Sequence, residues 1–173
     1  MNLEALHSLS YGLYVVCSKK GGKYNGQIAN TLFQITSEPL TIVVSINRSN
    51  LTHEFIKDSR VFTATTLCQD TPLSFIGNFG FKSGRDVDKF EGVNYRLGTT
   101  EAPVVTDYGV ACLEVRVTQE VDVGTHTLFI GEVVDADVLS NEICMTYAHY
   151  HQVKRGTTPR AAPTYIETKG GTN

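Results

Sequence analysis

The chain has no tryptophan, two methionines, five prolines and four cysteines in 173 residues, and where the cysteines fall narrows the chemistry. Cys17, Cys68, Cys112 and Cys144 lie far apart beside apolar or β-branched neighbours, with no Cys-x-x-Cys pair. A thiolate-held metal or iron–sulfur cluster normally starts from a closely spaced pair that preorganises two ligands, so all four are read as buried thiols. Long hydrophobic runs are missing too. The longest, such as Leu40 to Ile46, fall far short of the roughly 20 residues that span a bilayer. The start, Met1-Asn2-Leu3-Glu4-Ala5-Leu6-His7, lacks the basic, apolar and small-residue order of a signal peptide. A cytoplasmic location is the expectation. Neither sign of charge dominates: the formal net charge is −3, which argues against nucleic acid or an anionic membrane as partner. No Gly-x-Gly-x-x-Gly, P-loop or Gly-x-Ser-x-Gly pattern follows a strand, so dinucleotide, nucleotide-hydrolase and α/β-hydrolase folds lack support. No internal repeat or low-complexity block is present.

What the chain does have is short alternating or β-branched stretches separated by Gly, Asn, Asp or Pro, the period of half-buried strands. Strands are predicted over Leu13 to Ser18, Leu32 to Thr36, Leu40 to Ile46, Val61 to Leu67, Val110 to Val121 and Leu128 to Leu139. The last two flank Asp122-Val123-Gly124-Thr125-His126-Thr127 and predict a long hairpin. Six or more strands invite closure as a barrel. Helices are predicted at Leu3, Leu6 and Leu9, over Leu51 to Ser59 with Asn50 or Ser49 as N-cap, from Thr71-Pro72 through Phe79, and over Met145 to Arg155, ended by Gly156. The expectation is a mainly β domain with a few short helices over residues 1–167 and a flexible tail over 168–173.

Three segments are candidates for chemistry. Asn25 to Gln34 is polar where a core strand should alternate; it reads as a bulge or a backbone lying close to a ligand, or else as a surface turn before a strand. Ser45-Ile46-Asn47-Arg48-Ser49-Asn50-Leu51-Thr52-His53 runs from the most hydrophobic strand into a helix start, where amide groups and the helix dipole favour an anion; plain N-capping accounts for it as well. Phe81 to Phe90 gathers Lys82, Arg85 and Lys89 around Ser83-Gly84, either as a second arm on the same phosphate or as a solvated loop in which Asp86 and Asp88 pair with those cations. His126 is expected in an exposed turn. His149 and His151, two apart on a helix, face different sides and disfavour joint metal capture.

Taken in order, Gly12 to Val16, Asn25 to Thr36, Ser45 to His53, Ser83 to Phe90 and Gly124 to Val133 resemble the flavin reductase-like family, FMN-binding split β-barrels of Greek-key type, most of all the flavin domain of high-molecular-weight rubredoxins and flavoredoxin-type proteins. The resemblance implies a dimeric barrel with FMN near the subunit interface. It places the flavin ring against Gln27, Ile28, Ala29, Asn30 and Thr31 and the phosphate near Ser45, Ile46, Asn47, Arg48, Ser49, Asn50 and Thr52, with Ser83, Gly84, Arg85 and Lys89 completing the hold. It puts His126 on the nicotinamide side, where Thr125 stands in place of the acid usual in relatives. It implies an NAD(P)H-dependent flavin reductase-like oxidoreductase: hydride passes from NADH or NADPH to FMN, and electrons go on to a protein, flavin or metal acceptor, with a rubredoxin or flavodiiron-type protein as a possible redox partner. No Cys-x-x-Cys pair follows Tyr165-Ile166-Glu167, so no built-in iron relay is expected. The alternatives are an FMN-containing electron carrier without NAD(P)H activity and a non-catalytic ligand-binding barrel.

Overall fold

The computed structural model describes residues 1–166; the tail expected over 168–173 lies outside them. A 3-10 turn (Leu3–Ser8) precedes β1 (Tyr14–Lys20), β2 (Lys23–Ala29), β3 (Leu32–Ser37), β4 (Leu40–Asn47), α1 (Leu51–Ser59), β5 (Val61–Leu67), α2 (Leu73–Gly80), β6 (Tyr95–Leu97), β7 (Pro103–Val105), β8 (Gly109–Asp122), β9 (His126–Val138) and α3 (Tyr147–Gln152). The six predicted strands are present, and α1 and β5 fall on their expected bounds. The N-terminal leucines, spaced by three, form a 3-10 turn with Leu3, Leu6 and Leu9 exposed, in keeping with its three residues per turn. The last helix is shorter than expected. Thr146 caps its start by accepting from the His149 amide, and Gly156 N–H returns to Tyr150 O.

Seven strands form one antiparallel sheet in the order β2-β1-β5-β8-β9-β4-β3. Its two edge strands, β2 and β3, are consecutive in the chain and joined only by Asn30 and Thr31. A flat sheet would hold its edges several strand spacings of about 4.8 Å apart, so the sheet must roll until they nearly meet. Ser45 N–H donates to Thr31 O at 3.0 Å, carrying the β3–β4 ladder into the two-residue link. The result is a barrel closed by a two-residue link and split along that line.

Val16, Ile42, Val44, Ile46, Phe62, Ala64, Val115, Val117 and Phe129 fill the interior, with Ile56 of α1 plugging one end. A second apolar cluster lies outside, where Leu13, Val15, Cys17 and Leu67 meet Ile76 and Phe79 of α2, Phe90, Val105, Met145 and Tyr150. β1 is therefore buried on both faces, which is why Val15-Val16-Cys17 fails to alternate. The β8–β9 hairpin is long and its register slips between Glu114 and Val115 and again between Val117 and Gln119. Bulges there add twist, and at Gly131 a Cβ would come within 2.6 Å of Arg116 O, so the close approach needs glycine. The short β6–β7 ribbon is tied on by the buried Glu114 carboxylate, which accepts from Thr99 N, Thr100 N and the Thr100 hydroxyl. No helix among the described residues is long and apolar enough to cross a membrane.

Two expectations need correction. Cys17, Cys68 and Cys112 are buried, but Cys144 is exposed. The polar stretch from Asn25 holds no bulge before Ala29: it is β2, in unbroken register with β1 from Tyr14↔Ala29 to Lys20↔Lys23. The irregularity falls later, between Gln34 and Thr36.

Candidate functional site

A cleft of about 450 Å³ opens along the split, a volume within the usual range for small-molecule and cofactor sites. One wall is barrel: Gln27, Ile28, Ala29 and Asn30 at the end of β2, Ser45 and Asn47 at the end of β4, and Ser49 to Thr52 leading into α1. The amide side chains on this wall bond to one another. Asn50 Nδ2 donates to Gln27 Oε1 at 3.0 Å, and Asn47 Oδ1 accepts from both the amide and the hydroxyl of Ser49. Asn50 holds the N-cap position of α1 but makes no side-chain cap; its amide faces β2 instead.

The second wall comes from the end of α2 and the loop after it, Phe79 to Gly84, with Lys89. Gly84 lies so close to β2 that a Cβ would sit 1.9 Å from Asn25 Oδ1, and Asn25 is pinned in turn by its 2.7 Å bond to the Thr52 hydroxyl. Lys89 is buried, 5% exposed. Its ammonium donates to Gly26 O at 2.9 Å and Phe79 O at 3.1 Å, so two of its three hydrogens are spent joining β2 to α2. Burial lowers its pKa to about 8, because the charged form loses hydration. The neighbouring Cys17 thiol is pushed up to about 12 by its own burial.

The third wall is Tyr147 and Tyr150 of α3 with Thr157 and the segment Pro159 to Pro163. This strap crosses the cleft mouth, and a smaller hollow of about 360 Å³ on its far side is lined by Val123, Thr125, His126 and Tyr165. Ala161 O accepts from Asn47 Nδ2 at 3.2 Å and from His126 Nε2 at 3.1 Å. A carbonyl can only accept, so Nε2 carries the proton, leaving Nδ1 to accept from the Thr125 hydroxyl at 2.9 Å. His53, behind the barrel wall, is bonded to the Thr127 hydroxyl at 2.8 Å; burial, then the nearby Lys57 and Arg48, hold its pKa below the usual histidine range. Among the described residues no cluster of His, Cys, Asp or Glu could hold a metal ion.

The chain matches the flavin reductase like domain over residues 6–157. It belongs to the flavin reductase-like family. It is 57% identical over 165 residues to a high molecular weight rubredoxin of Moorella thermoacetica, a match spanning 95% of this chain and 72% of that protein. It is 50% identical over 169 residues to a ferric-chelate reductase (NAD(P)H) of Archaeoglobus fulgidus, spanning 98% of this chain and all of that protein. Among solved structures, an NADH:FAD oxidoreductase of Streptomyces globisporus superposes with a TM-score of 0.76 at 22% identity, covering 84% of this chain and 86% of that one. A flavoredoxin of Methanosarcina acetivorans gives 0.69 at 22%, covering 75% and 69%. Both share the split-barrel fold.

Of the residues the sequence singled out within this flavin reductase-like fold, Gln27, Ile28, Ala29, Asn30, Ser45, Asn47, Ser49, Asn50, Thr52, Ser83, Gly84 and Lys89 do line the cleft. Four do not. Ile46 points into the barrel core, as strand alternation between Ser45 and Asn47 requires. Thr31 turns its hydroxyl to Asn30 Oδ1. Arg48 is exposed and paired with Asp122 at 2.7 Å, and Arg85 is exposed and paired with Glu54 of α1; neither guanidinium reaches the cleft. His126 is not an exposed turn residue but the buried first residue of β9, 9% exposed. It lines the far hollow. His151 bonds to Gly156 O and lies 3.2 Å from the Thr158 hydroxyl. Sequence reasoning had Asn25 and Lys82 inside its candidate segments, but it missed Phe79, Tyr147 and Tyr150 as cleft residues and the strap. Pro159 and Pro163 bracket the strap.

Proposed function

We propose that this chain is an NAD(P)H-dependent flavin reductase-like oxidoreductase that holds FMN in the cleft along the barrel's split. The observation that carries the reading is the mixed lining of that cleft. Amide side chains with β2 backbone, an apolar flank of tyrosines and Phe79, and a Ser-Gly loop beside a buried ammonium all line it, in a chain of this family. The donor set fits the cofactor. Ser49, Ser83, the Gly84 backbone, Lys82 and Lys89 would hold the phosphate, a dianion that favours charged and amide donors. Gln27, Asn30 and Asn50 offer both donors and acceptors to the edge of a heteroaromatic ring. Bound FMN would supply hydride acceptance from a nicotinamide and onward electron delivery.

The protein's own contribution is position and exclusion of water. Phe79, Tyr147 and Tyr150 give an apolar flank, and the strap shields the cleft mouth. His126 Nε2 holds the strap through Ala161 O, so its role on the nicotinamide side is exercised through that contact or after the strap moves. The ferric-chelate reductase matched over its whole length supports a ferric chelate as acceptor; the rubredoxin relative supports a rubredoxin, or a flavodiiron-type protein receiving electrons through one. A homodimer is part of the reading: edge strand β3 is solvent-exposed, with Phe33 58% accessible beside Ile35 and Leu40, and an apolar open edge asks for cover.

The test is an anaerobic titration of the FMN-loaded protein with NADH and NADPH, followed by ferric chelate and reduced-state trapping with rubredoxin. Bleaching of the flavin band within seconds and reoxidation by an acceptor are expected. Failure to take up FMN would sink the whole reading. Uptake with no bleaching by either nicotinamide would leave an electron carrier in its place.

A further inference from the structure

Cys68 and Cys144, far apart in sequence, meet face to face. Cys68 follows β5 and Cys144 precedes α3, and the two form an isolated antiparallel bridge. The hydrogen bonds around it are Gln69 N–H to Ile143 O at 2.8 Å and Met145 N–H to Leu67 O at 2.7 Å, while the Cys68 amide turns away to Tyr108 O. This is the non-hydrogen-bonded type of antiparallel pair, which brings opposed Cα atoms to about 4.5 Å with both side chains on one face. Disulfides need Cα atoms about 4.4–6.8 Å apart, so the backbone already has the geometry and only side-chain rotation remains. The Cys68 sulfur lies 3.7 Å from the Thr71 hydroxyl, a weak contact to give up.

We propose that Cys68 and Cys144 are a reversible dithiol–disulfide site that pins the start of α3 to the barrel. The division of labour follows from access. Cys144 is exposed and Cys68 only 5% accessible. A low-molecular-weight disulfide, RSSR, is attacked by the Cys144 thiolate, which forms a mixed disulfide and releases RSH. The Cys68 thiolate then attacks the Cys144 sulfur, closing the Cys68–Cys144 bond and releasing the second RSH. The protein dithiol loses two electrons and two protons, and RSSR takes them up as two thiols. A reducing thiol pool reverses both steps. Cys17 and Cys112 stay out of this chemistry: both are buried, and burial raises the pKa of each, keeping them as inert thiols. The bridge would close the long chain loop from Cys68 to Cys144, which contains α2 and strands β6 to β9, and fix Met145 just ahead of the cleft residues Tyr147 and Tyr150.

The test uses oxidised glutathione on the purified full chain, with thiol counting under denaturing conditions, peptide mapping and thermal melting. The expected result is loss of two of the four thiols without retained glutathione and a Cys68–Cys144 linked peptide. The melting midpoint should rise by about 5–10 °C, reversed by dithiothreitol. Cys144→Ser, at an exposed position, should keep its fold and melting midpoint and show neither the thiol loss nor the rise. Retention of glutathione on Cys144 with Cys68 still free, four intact thiols, or an unchanged melting midpoint in the cross-linked protein would each overturn the proposal.

Discussion

Two of the cleft's three walls are built on different principles. The barrel wall, from Gln27 to Asn30 and Ser45 to Thr52, is fixed by strand register and by a core that includes Val44, Ile46, Ile56 and Phe129. To displace it means breaking the sheet. The strap wall, Pro159 to Pro163, belongs to no strand or helix and is attached by a handful of bonds: Ala161 O to Asn47 and His126, and the Thr164 hydroxyl to Asn30 and Tyr147. Local stability scales with buried contacts and protected hydrogen bonds. The barrel wall is therefore the rigid part of the cleft and the strap the more weakly held part.

The largest break comes from Lys89, which joins the barrel wall to α2 and lines the cleft as a charge. Lys89→Met is expected to weaken FMN binding by roughly 10- to 100-fold, the usual worth of a charged hydrogen bond. Its pH dependence separates two effects of opposite sign. With the folded pKa near 8 and the ordinary value at 10.5, the unfolded chain binds more protons between those pH values. The apo protein should thus gain stability as pH rises across that window. FMN affinity should fall over the same window, because neutralisation would remove the ammonium proposed to hold the phosphate. Denaturant melts and fluorescence titrations at pH 7, 8 and 9 would check both. In Lys89→Met both slopes should flatten, and an affinity slope that persists would assign the phosphate to another cation.

A smaller effect is expected on the strap alone. Thr164→Val removes the acceptor of Asn30 Nδ2 and the donor to Tyr147, at about 1 kcal/mol for exchangeable neutral hydrogen bonds. Amide hydrogen exchange at Ala162 and Tyr165, whose N–H groups bond to Pro159 O and Ala162 O, should quicken by roughly fivefold for that energy. Exchange in β4 and β9 should stay as it was. If β4 quickens equally, the strap is part of the barrel's cooperative unit and the contrast between the walls is lost.

The same contrast governs what the sequence could reveal. α1 and β5 were legible to the residue because each has one clean apolar face and a clear end. β2 was not: on the face of its core residue Ala29 the preceding positions, Gln27 and Asn25, are polar because they serve the cleft and the α1 junction. β6 and β7 are three residues each, too short for a period to show. The strap has no period at all, and two of its partners, Asn30 and Asn47, lie more than a hundred residues away. Ser45 to Thr52 was readable as a candidate segment, and much of it lines the cleft, because strand end, hydroxyls and helix start coincide locally. His126 was misplaced because the turn signal Asp122 to Thr127 could not show that β9 begins inside it.

Arginine gives the smallest effect and the sharpest check on the site. Sequence shows the sign of a charge but not its partner: Arg48 and Arg85 flank the expected phosphate segments, yet their guanidinium groups rest on Asp122 and Glu54 at the exposed rim. The Glu54 carboxyl is held below its usual pKa first by its hydrogen bond to Arg85, so the arginine is already engaged. Exposed pairs of this kind contribute little. Arg85→Ala is expected to shift FMN affinity by less than about twofold and leave the melting midpoint in place, against the large loss at Lys89, as fluorescence titration of both variants side by side would show. A loss at Arg85 that matched Lys89 would mean that the loop from Ser83 swings in when phosphate binds. The second wall would then be as mobile as the strap, and β2 with the start of α1 would be left as the sole rigid side of the site.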